Sequence, residues 1–292
     1  MIGLKKDTVK LFSHEKEWEV EAGKTILCLY KILGAVARDI QHVGSTAIPT
    51  IKAKPIIDIA VAVDNFEDVI ALQEELKNSG FYYCPNANIN DQLLFACGSY
   101  YNGTGDLQTH FIHVVLADSM EWINYINFRD YLCKMPTVAK EYEDLKTSLV
   151  TKVPIDINRD KYLQGKHDFI IYTLRKALVN YYLGKIVNIK MDRPIGSTHP
   201  KHAEIIYPIN YGYIPGVLGG DGEELDVYLL GVSSPVKEYK ARVIAIVHRH
   251  NDVEDKLVAA PEGISFTQVE IAEAIHFQEQ FYESEIEIML QK

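Results

Sequence analysis

Cysteine is scarce in this sequence, and the few cysteines present do not form a recognisable site. The 292 residues include four, Cys28, Cys84, Cys97 and Cys133, and no two of them stand in a C-x-x-C pair. Structural zinc sites and dithiol redox centres need such close pairs, and small secreted domains carry a much denser cysteine framework. We therefore expect reduced and mostly buried thiols.

Long apolar runs are also missing. No run approaches the roughly 20 residues that a helix needs to cross a bilayer. The N-terminal segment MIGLKKDTVKLFSHEKEW has no apolar core of signal-peptide length. The sequence therefore predicts a soluble, cytoplasmic protein.

Positive charge is in short supply. Lysine and arginine number 30 against 40 acidic residues, which gives a net charge of -10 and a pI near 5.5. Sequence-independent binding to nucleic acid or to an anionic membrane needs a basic face. We therefore expect neither partner, while a local basic pocket stays possible. The oligomeric state, including a homo-oligomer, is left open.

The chain is longer than a typical single domain, and its texture changes near residues 180–184. The first part, 1–180, alternates helical patterns with apolar strand-like runs, which predicts a mixed α/β domain. The second part, 181–292, has short β-branched runs between Gly, Pro and Asp clusters and favours a small β-barrel or sandwich. The predicted fold class is therefore α+β. Within the first part we predict helices over 14–39, 66–80, 119–133, 136–150 and 160–182, and strands over 54–63 and 107–117.

The second part contains an unusually acidic turn, GGDGEELD, at residues 219–226. Its glycines allow positive φ and a sharp turn. Asp221 and Glu223 are two residues apart and can share one side of an extended segment, and Asp226 begins the next strand. Converging carboxylates suit Mg²⁺, which takes one or two protein carboxylates together with water and phosphate. The alternative is a solvated acidic hairpin.

A second acidic segment, HRHNDVEDKLVAAP, follows at 248–261. It offers Asp252, Glu254 and Lys256 just before an apolar strand, so acids could hold a metal while the lysine faces a phosphate. Tyr207 and Tyr211 supply phenolic donors, and Arg193 can bind a phosphate with two hydrogen bonds.

Together these segments resemble the soluble, Mg²⁺-dependent inorganic pyrophosphatases along about 184–265. YPINYGYIPGVLGGDGEELDV is similar to that family's tyrosine-to-aspartate signature, with Glu223 in place of the more usual aspartate. The resemblance implies an OB-like barrel of five strands and hydrolysis of a phosphoanhydride by metal-activated water. It implies phosphate-binding or catalytic roles for Arg193, Tyr207, Tyr211, Asp226 and Lys256, and Mg²⁺ ligands at Asp221, Glu223, Asp226, Asp252 and Glu254.

The chain departs from that family in two places. The family's early hairpin with a glutamate and a lysine has no clear counterpart between 185 and 205, where His199 and Lys201 stand instead. A later Tyr-Lys phosphate clamp is also absent from the sequence HFQEQFYESEIEIML. The substrate is therefore predicted as pyrophosphate or another diphosphate, with binding without turnover as the alternative.

In the first part, HVGSTAIPTIKAKPIIDIAV combines a Gly-Ser turn with a strand that carries Asp58. Backbone N–H groups and a hydroxyl at Gly44 and Ser45 can hold phosphate oxygens, and a carboxylate on the next strand can hold Mg²⁺. By itself this pattern is also that of an ordinary turn. His110 and His113 follow on THFIHVV; three apart on a strand, they point to opposite faces, and we expect His113 to face the pocket.

The ordered motifs HVGSTAIP, KPIIDIAV, THFIHVV, FRDYL and YLQGKHDFI resemble GrpB-like proteins of the nucleotidyltransferase superfamily along about 12–178. The resemblance implies nucleotide handling at Gly44, Ser45 and Asp58, with Lys54, Arg129 and Lys166 as phosphate partners. Active transferases of that superfamily carry a second acid two residues after the first, where this chain has Ala60. Nucleotide binding is therefore the safer hypothesis, and the alternatives for the whole chain are a non-catalytic phosphate sensor or a two-domain scaffold.

Overall fold

The computed structural model describes residues 1–87, 92–152, 162, 164–199, 206–219, 222–252 and 254–289. The chain divides into two compact units, Met1–Ile171 and Tyr172–Lys292. The two domains proposed at 1–180 and 181–292 stay a prediction.

The strands of the first unit are β1 Leu4–Lys5, β2 Ala37–Val43, β3 Ile57–Val63, β4 Tyr82–Tyr83, β5 Gln92–Cys97, β6 Leu107–Gln108 and β7 His110–Leu116. Five of them form a mixed sheet of order β2-β3-β7-β5-β4, and β1 and β6 form a two-stranded sheet of their own. Its helices are α1 Lys16–Leu33, α2 Phe66–Ala71, α3 Gln73–Asn78, α4 Met120–Lys134 and α5 Pro136–Lys152. Strand β3 pairs with β7 in parallel and with β2 antiparallel.

The apolar run IDIAVAV forms β3, a strand that is buried along almost its whole length. One sheet face packs against α1 in a core of buried residues that includes Trp18, Leu29, Ile59, Val61 and Val114. Because side chains alternate along a strand, the other face carries Asp58 and Ala60. The one partly exposed residue of β3 is Asp58, so the fold leaves a single carboxylate at the start of an otherwise apolar strand.

Several predicted elements are confirmed, and two need correction. The helices predicted over 119–133 and 136–150 correspond closely to α4 and α5. The helix predicted over 14–39 ends at Leu33, because Gly34 takes φ +53 and the chain turns into β2 at Ala37. The helix predicted over 66–80 is interrupted at Leu72, which separates α2 from α3.

The second unit is a closed five-stranded β-barrel, which confirms the predicted α+β fold class. Its strands are β8 Ile186–Arg193, β9 Asn210–Leu218, β10 Glu224–Leu229, β11 Glu238–Arg249, β12 Lys256–Ala260 and β13 Ser284–Ile288. The sheet order is β12-β10-β9-β8-β11, and β12 also pairs with β11, so the barrel closes; β13 adds to the outside of β11. The second unit contains the helix α7 Gln268–Glu279. It also contains the part of helix α6 His167–Tyr182 that begins at Tyr172.

Strands β10 and β12 run parallel, whereas the other pairs of the barrel are antiparallel. The parallel pairing places the start of β12 beside the start of β10, with Val227 opposite Leu257. A cluster that includes Tyr207, Tyr211 and Tyr228 packs under α7 through Ile271 and Ile275. Helix α7 begins with a capping box between Thr267 and Glu270.

The four cysteines are free, but the prediction that they are mostly buried is wrong. Cys28, Cys84 and Cys97 are half-buried, and Cys133 is exposed. Among the described residues, no helix is long and apolar enough to cross a membrane.

Candidate functional site

The candidate site of the barrel is centred on a buried lysine that joins two carboxylates from different segments. The Lys256 ammonium donates to Asp226 Oδ2 and to Glu254 Oε2. Asp226 lies on β10 and Glu254 directly precedes β12, so the parallel pairing of these strands brings them together. Lys256 is 4% exposed and Glu254 is 3% exposed. The structure therefore unites one acid of the GGDGEELD turn with one acid of the second acidic segment.

The electrostatics of this group follow from its burial. Burial by itself pushes the pKa of Lys256 down, but the Asp226 and Glu254 carboxylates outweigh it and raise that pKa above its ordinary value. Lys256 is therefore held as a cation. The Lys256 ammonium can bind an anionic oxygen of a ligand once one of its two carboxylates has another cation as its partner.

Aromatic hydroxyls and a guanidinium stand around the two acids. The Arg193 guanidinium lies 5.6 Å from the ring centre of Tyr211 and 5.9 Å from that of Tyr207. Burial, followed by the nearby Asp226 carboxylate, raises the pKa of Tyr211 well above its ordinary value. Burial also raises the pKa of Tyr207 to about 12, although Arg193 opposes this. Both phenols therefore stay protonated and can donate hydrogen bonds.

The turn glycine Gly219 explains how the two acidic segments approach each other. A Cβ atom at this position would lie 2.4 Å from Glu254 Oε1, so any other residue would require the Glu254 carboxylate to shift. Glu223, further along the turn, is exposed to solvent, and Asp221 lies outside the described residues. Glu224 is engaged locally, since its Oε1 accepts from the Gly216 N–H at 2.9 Å.

The remaining predicted acid, Asp252, contacts a cation of its own. Its Oδ2 accepts from Arg249 Nη1 at 2.9 Å. Arg249 is 3% exposed and also donates to Glu279 and to the Tyr228 hydroxyl. Sequence reasoning missed Arg249, because nothing local distinguishes a buried arginine from a surface one. The guanidinium fixes the segment that leads into Glu254 and Lys256.

One further acid near the site was missed. Burial raises the pKa of Asp192, and the neighbouring Asp226 carboxylate raises it further against the pull of Arg193. Asp192 Oδ2 accepts from Arg193 Nη1 at 2.6 Å. The sequence offered one signal for this acid, which is its position next to the candidate residue Arg193 in the segment MDRPIGS.

The two carboxylates that meet at Lys256 are the donor type that suits Mg²⁺. Asp226 and Glu254 both reach the single point that the Lys256 ammonium occupies, and two carboxylates are the usual protein contribution to a Mg²⁺ site. Across the described stretches, no group of three or more His, Cys, Asp or Glu side chains is arranged to hold a metal ion. Of the five ligands named from the sequence, Asp221 lies outside the described residues, and the structure brings Asp226 and Glu254 together at Lys256.

In the first unit, the Gly-Ser turn lies directly against Asp58. Gly44 has φ +69, and a Cβ there would lie 2.5 Å from Asp58 Oδ2. Glycine is thus required twice, for the left-handed conformation and for the close approach. Burial raises the pKa of the Tyr142 phenol to about 12, and the side chain of Ser45, the next residue after Gly44, opposes this shift.

The histidines of β7 point to opposite faces, as predicted. His113 Nε2 lies 3.5 Å from Asp58 Oδ1, whereas His110 Nε2 lies 3.2 Å from Thr25 Oγ1 on the α1 side. Arg129 is placed behind the turn, where its Nη1 donates to the His42 carbonyl oxygen at 2.9 Å. In this structure Arg129 therefore holds the strand that leads into Gly44.

The predicted phosphate lysines lie at a buried tyrosine. The Lys54 and Lys166 ammonium groups lie 5.5 Å and 4.7 Å from the ring centre of Tyr162, respectively. Tyr162 is 2% exposed, so both lysines flank the same buried ring. The structure thus brings these two cations together.

Comparison with known proteins matches each unit to a family. A family model described as GrpB protein matches residues 8–176, and one described as Inorganic pyrophosphatase matches residues 184–286. The crystal structure of the conserved protein GrpB from Enterococcus faecalis is 29% identical, with a TM-score of 0.54; the match covers 59% of this chain and 99% of that one.

Two curated relatives illustrate the difference in coverage. The glutamate-rich protein GrpB of Alkalihalophilus pseudofirmus is 39% identical over 171 residues, which are 58% of this chain and 96% of that protein. The inorganic pyrophosphatase of Saccharolobus solfataricus is 35% identical over an alignment of 113 residues, and the match covers 33% of this chain and 62% of that protein. The chain therefore spans less than two thirds of this pyrophosphatase relative. Residues 184–286 match the model of the inorganic pyrophosphatase family, and the chain as a whole belongs to the GrpB family.

Proposed function

We propose that the second unit hydrolyses inorganic pyrophosphate or a related diphosphate. The observation that carries this proposal is the Asp226–Lys256–Glu254 group beside Arg193 and Tyr211. Buried acids and bases cost desolvation energy, and groups that perturb one another in this way are enriched at functional sites. The match to the pyrophosphatase family supports the choice of substrate.

Each side chain has a role that its chemistry allows. Arg193 and Lys256 are cations that can bind the phosphate oxygens of the substrate. Tyr207 and Tyr211, held in their protonated form, can donate hydrogen bonds to the phosphate that leaves. Asp226 can accept a proton from the attacking water.

A bound Mg²⁺ would be held by Asp226 and Glu254, and it would acidify a coordinated water and neutralise charge on the phosphoryl oxygens. Removal of divalent cations with EDTA is expected to stop phosphate release, and added Mg²⁺ is expected to restore it. Release that persists in EDTA would remove Mg²⁺ from the proposal.

The test of the activity is phosphate release from pyrophosphate, nucleoside triphosphates and dinucleoside polyphosphates by the full chain. Asp226→Asn is expected to lower release at least a hundredfold, because it removes both a proton acceptor and a metal ligand. The matched control is Glu285→Gln, an acid-to-amide change at a carboxylate with 72% side-chain exposure on the outer strand β13.

Equal release by wild type and Asp226→Asn would refute the catalytic assignment. Binding of pyrophosphate without any release by the wild type would instead identify the alternative, a phosphate sensor. Calorimetry with pyrophosphate separates that outcome from a scaffold that binds neither ligand.

For the first unit we propose binding of a nucleotide at Gly44 and Ser45. The observation that favours it is the close approach of the glycine backbone to Asp58, with His113 on the same face of the sheet. Calorimetry of the Gly44→Ala variant with ATP tests it, and an unchanged affinity would refute it. Pyrophosphate is the by-product of nucleotidyl transfer, so hydrolysis in the same chain would pull such a transfer forward.

A further inference from the structure

A buried carboxylate stands between two charged residues of the barrel site. Asp255 separates Glu254 from Lys256 in the chain, and its side chain is 3% exposed. Glu254 and Lys256 contact each other, whereas Asp255 contacts a different set of residues, which is the alternation that an extended chain produces. Burial of a carboxylate costs free energy unless cations or hydrogen-bond donors compensate it. The partners of Asp255 therefore show what holds this segment in place.

Four contacts hold the Asp255 carboxylate. The Lys176 ammonium donates to Oδ1 at 2.7 Å and to Oδ2 at 2.9 Å. His248 Nδ1 lies 2.8 Å from Oδ2, and the Arg249 backbone N–H donates to Oδ1 at 3.2 Å. Each oxygen thus has two partners, so the carboxylate cannot rotate or shift without losing charged hydrogen bonds.

The strand pairing explains why the imidazole reaches this carboxylate. β11 and β12 pair antiparallel with Val247 opposite Lys256, so the next residue of β11, His248, lies beside Asp255. Glu287 on β13 engages the other ring nitrogen, since its Oε2 lies 3.1 Å from His248 Nε2. An imidazole with an acid at each ring nitrogen is fixed in its orientation, and it is therefore a rigid partner for Asp255.

The lysine that holds Asp255 comes from a helix outside the barrel strands. Lys176 lies on α6, before residue 184, where the match to the inorganic pyrophosphatase model begins. Lys176 and Asp255 both belong to the second unit, and the Lys176 side chain is 19% exposed. The segment that carries Glu254 is therefore held in part by a cation that precedes the matched stretch.

We propose that Lys176 and His248 are positioning residues, which act through Asp255 to hold Glu254 in the geometry that binds a divalent cation. Glu254 is the next residue in the chain, so a shift of the Asp255 carboxylate moves the Glu254 backbone with it. Residues that orient metal-binding side chains from behind contribute about 10–100-fold to metal affinity or activity. Only the role of Glu254 as a Mg²⁺ ligand is taken from the proposed function, and the identity of the diphosphate does not matter here.

Direct metal binding tests this role without turnover. Mn²⁺ suits the same oxygen ligands as Mg²⁺, and the free ion is counted by electron paramagnetic resonance as the full chain is titrated without substrate. Because Asp58 in the first unit can also hold a cation, the binding that Asp226→Asn removes is assigned to the barrel. Lys176→Met should weaken this barrel binding by about tenfold or more.

The same variant should show a matching change in the kinetics. The Mg²⁺ concentration that gives half-maximal phosphate release should rise by the factor found for Mn²⁺. Release at saturating Mg²⁺ should stay within about threefold of the wild type, because Lys176→Met weakens metal binding and leaves the groups that contact substrate in place.

Two variants and a control test the contact itself. Lys176→Arg should keep the Mn²⁺ affinity within about threefold of wild type, because a guanidinium binds both oxygens of a carboxylate. Asp255→Asn should weaken binding at least as much as Lys176→Met, and the double variant should bind no more weakly than Asp255→Asn alone, since both changes remove one contact. Lys240→Met, at an exposed lysine of β11, should leave the affinity unchanged.

Unfolding in urea, followed by far-UV circular dichroism, checks that each variant is folded under the assay conditions. A variant that is only less stable binds Mn²⁺ with the wild-type dissociation constant over a smaller folded fraction, so the affinity separates a positioning role from a structural one. If Lys176→Met does not fold, Lys176→Gln takes its place with the same expectation, because glutamine keeps an N–H donor.

Three results would overturn the inference. They are wild-type Mn²⁺ affinity in Lys176→Met, a loss of affinity that Lys176→Arg does not restore, and wild-type Mn²⁺ binding that Asp226→Asn leaves unchanged. If the wild type binds Mn²⁺ in the barrel, loses that binding in Lys176→Met and releases no phosphate, the proposed hydrolysis is refuted and the positioning role stands.

Discussion

The most informative single substitution in the barrel is Lys256→Met. Methionine keeps the length and the apolar stem of lysine but removes the ammonium that Asp226 and Glu254 share. Glu254 then remains buried with a second carboxylate beside it and without this cation. Removal of one partner from a buried ion pair costs about 3–5 kcal/mol, and we expect a loss in that range for the second unit.

The loss is large against the stability of an ordinary domain, which is about 5–15 kcal/mol. In urea, where unfolding free energy falls by about 1–3 kcal/mol per molar denaturant, the midpoint should decrease by roughly 2 M. Far-UV circular dichroism of the full chain follows this transition. Tryptophan fluorescence reports the first unit separately, because the chain's two tryptophans, Trp18 and Trp122, both lie in Met1–Ile171.

Two controls sharpen the result. Lys190→Met makes the same chemical change at an exposed lysine of β8 and should leave the midpoint unchanged. The double variant Lys256→Met with Glu254→Gln should recover about 1–3 kcal/mol relative to Lys256→Met alone, because the buried negative charge is removed as well. A Lys256→Met midpoint within about 0.3 M of wild type would refute the buried charge group on which the proposed activity depends.

Three further predictions concern conformation and pH. Gly44→Ala should destabilise the first unit by about 1–3 kcal/mol in urea unfolding, since φ is +69 and the added Cβ meets Asp58; a gain in stability would contradict this. Lys146→Met should stabilise the first unit by up to about 4 kcal/mol at pH 7, because the pKa in the folded state is about 7 and the ordinary value is 10.5. The wild type should gain stability from pH 7 to 10, where the unfolded chain binds more protons, and the variant should lack this gain. Burial lowers the pKa of His248, but Asp255 and Glu287 raise it above 6.5 overall. The charged imidazole therefore stabilises the fold fully below pH 6.5, and this contribution is lost as the pH rises through the pKa of the folded state. His248→Gln should flatten this dependence in the free energy of unfolding measured from about pH 5 to 9.

Local patterns were sufficient for much of the architecture. The apolar run of β3, the periodicity of α4 and α5, and the short β-branched runs of the barrel each reflect a repeat that the backbone imposes. The prediction failed at Gly34, because helical periodicity continues through a residue whose positive φ ends the helix. Periodicity reports the face that a residue occupies, but it does not report where a backbone turns.

For the site residues, too, the sequence identified candidates but not the contacts between them. Motif spacing identified Asp226, Glu254 and Lys256 as candidates, but it assigned Lys256 to phosphate and the acids to metal, without the contact between them. That contact depends on the parallel pairing of β10 with β12, a long-range property that neither segment encodes alone. Asp252, equally acidic in the sequence, contacts Arg249 instead.

The sequence by itself determined the resemblance of its two parts to two families, and its short β-branched runs limited the second part to a small barrel or sandwich. The close approach of Gly44 to Asp58 came only from the tertiary structure. Only the tertiary structure decided the partners of each charge and the burial of Lys146 and Arg249. The physical reason is that the energy of a charge depends on how much water remains around it and on which opposite charges lie within a few ångströms. Both quantities are set by strands and helices that are distant in the chain.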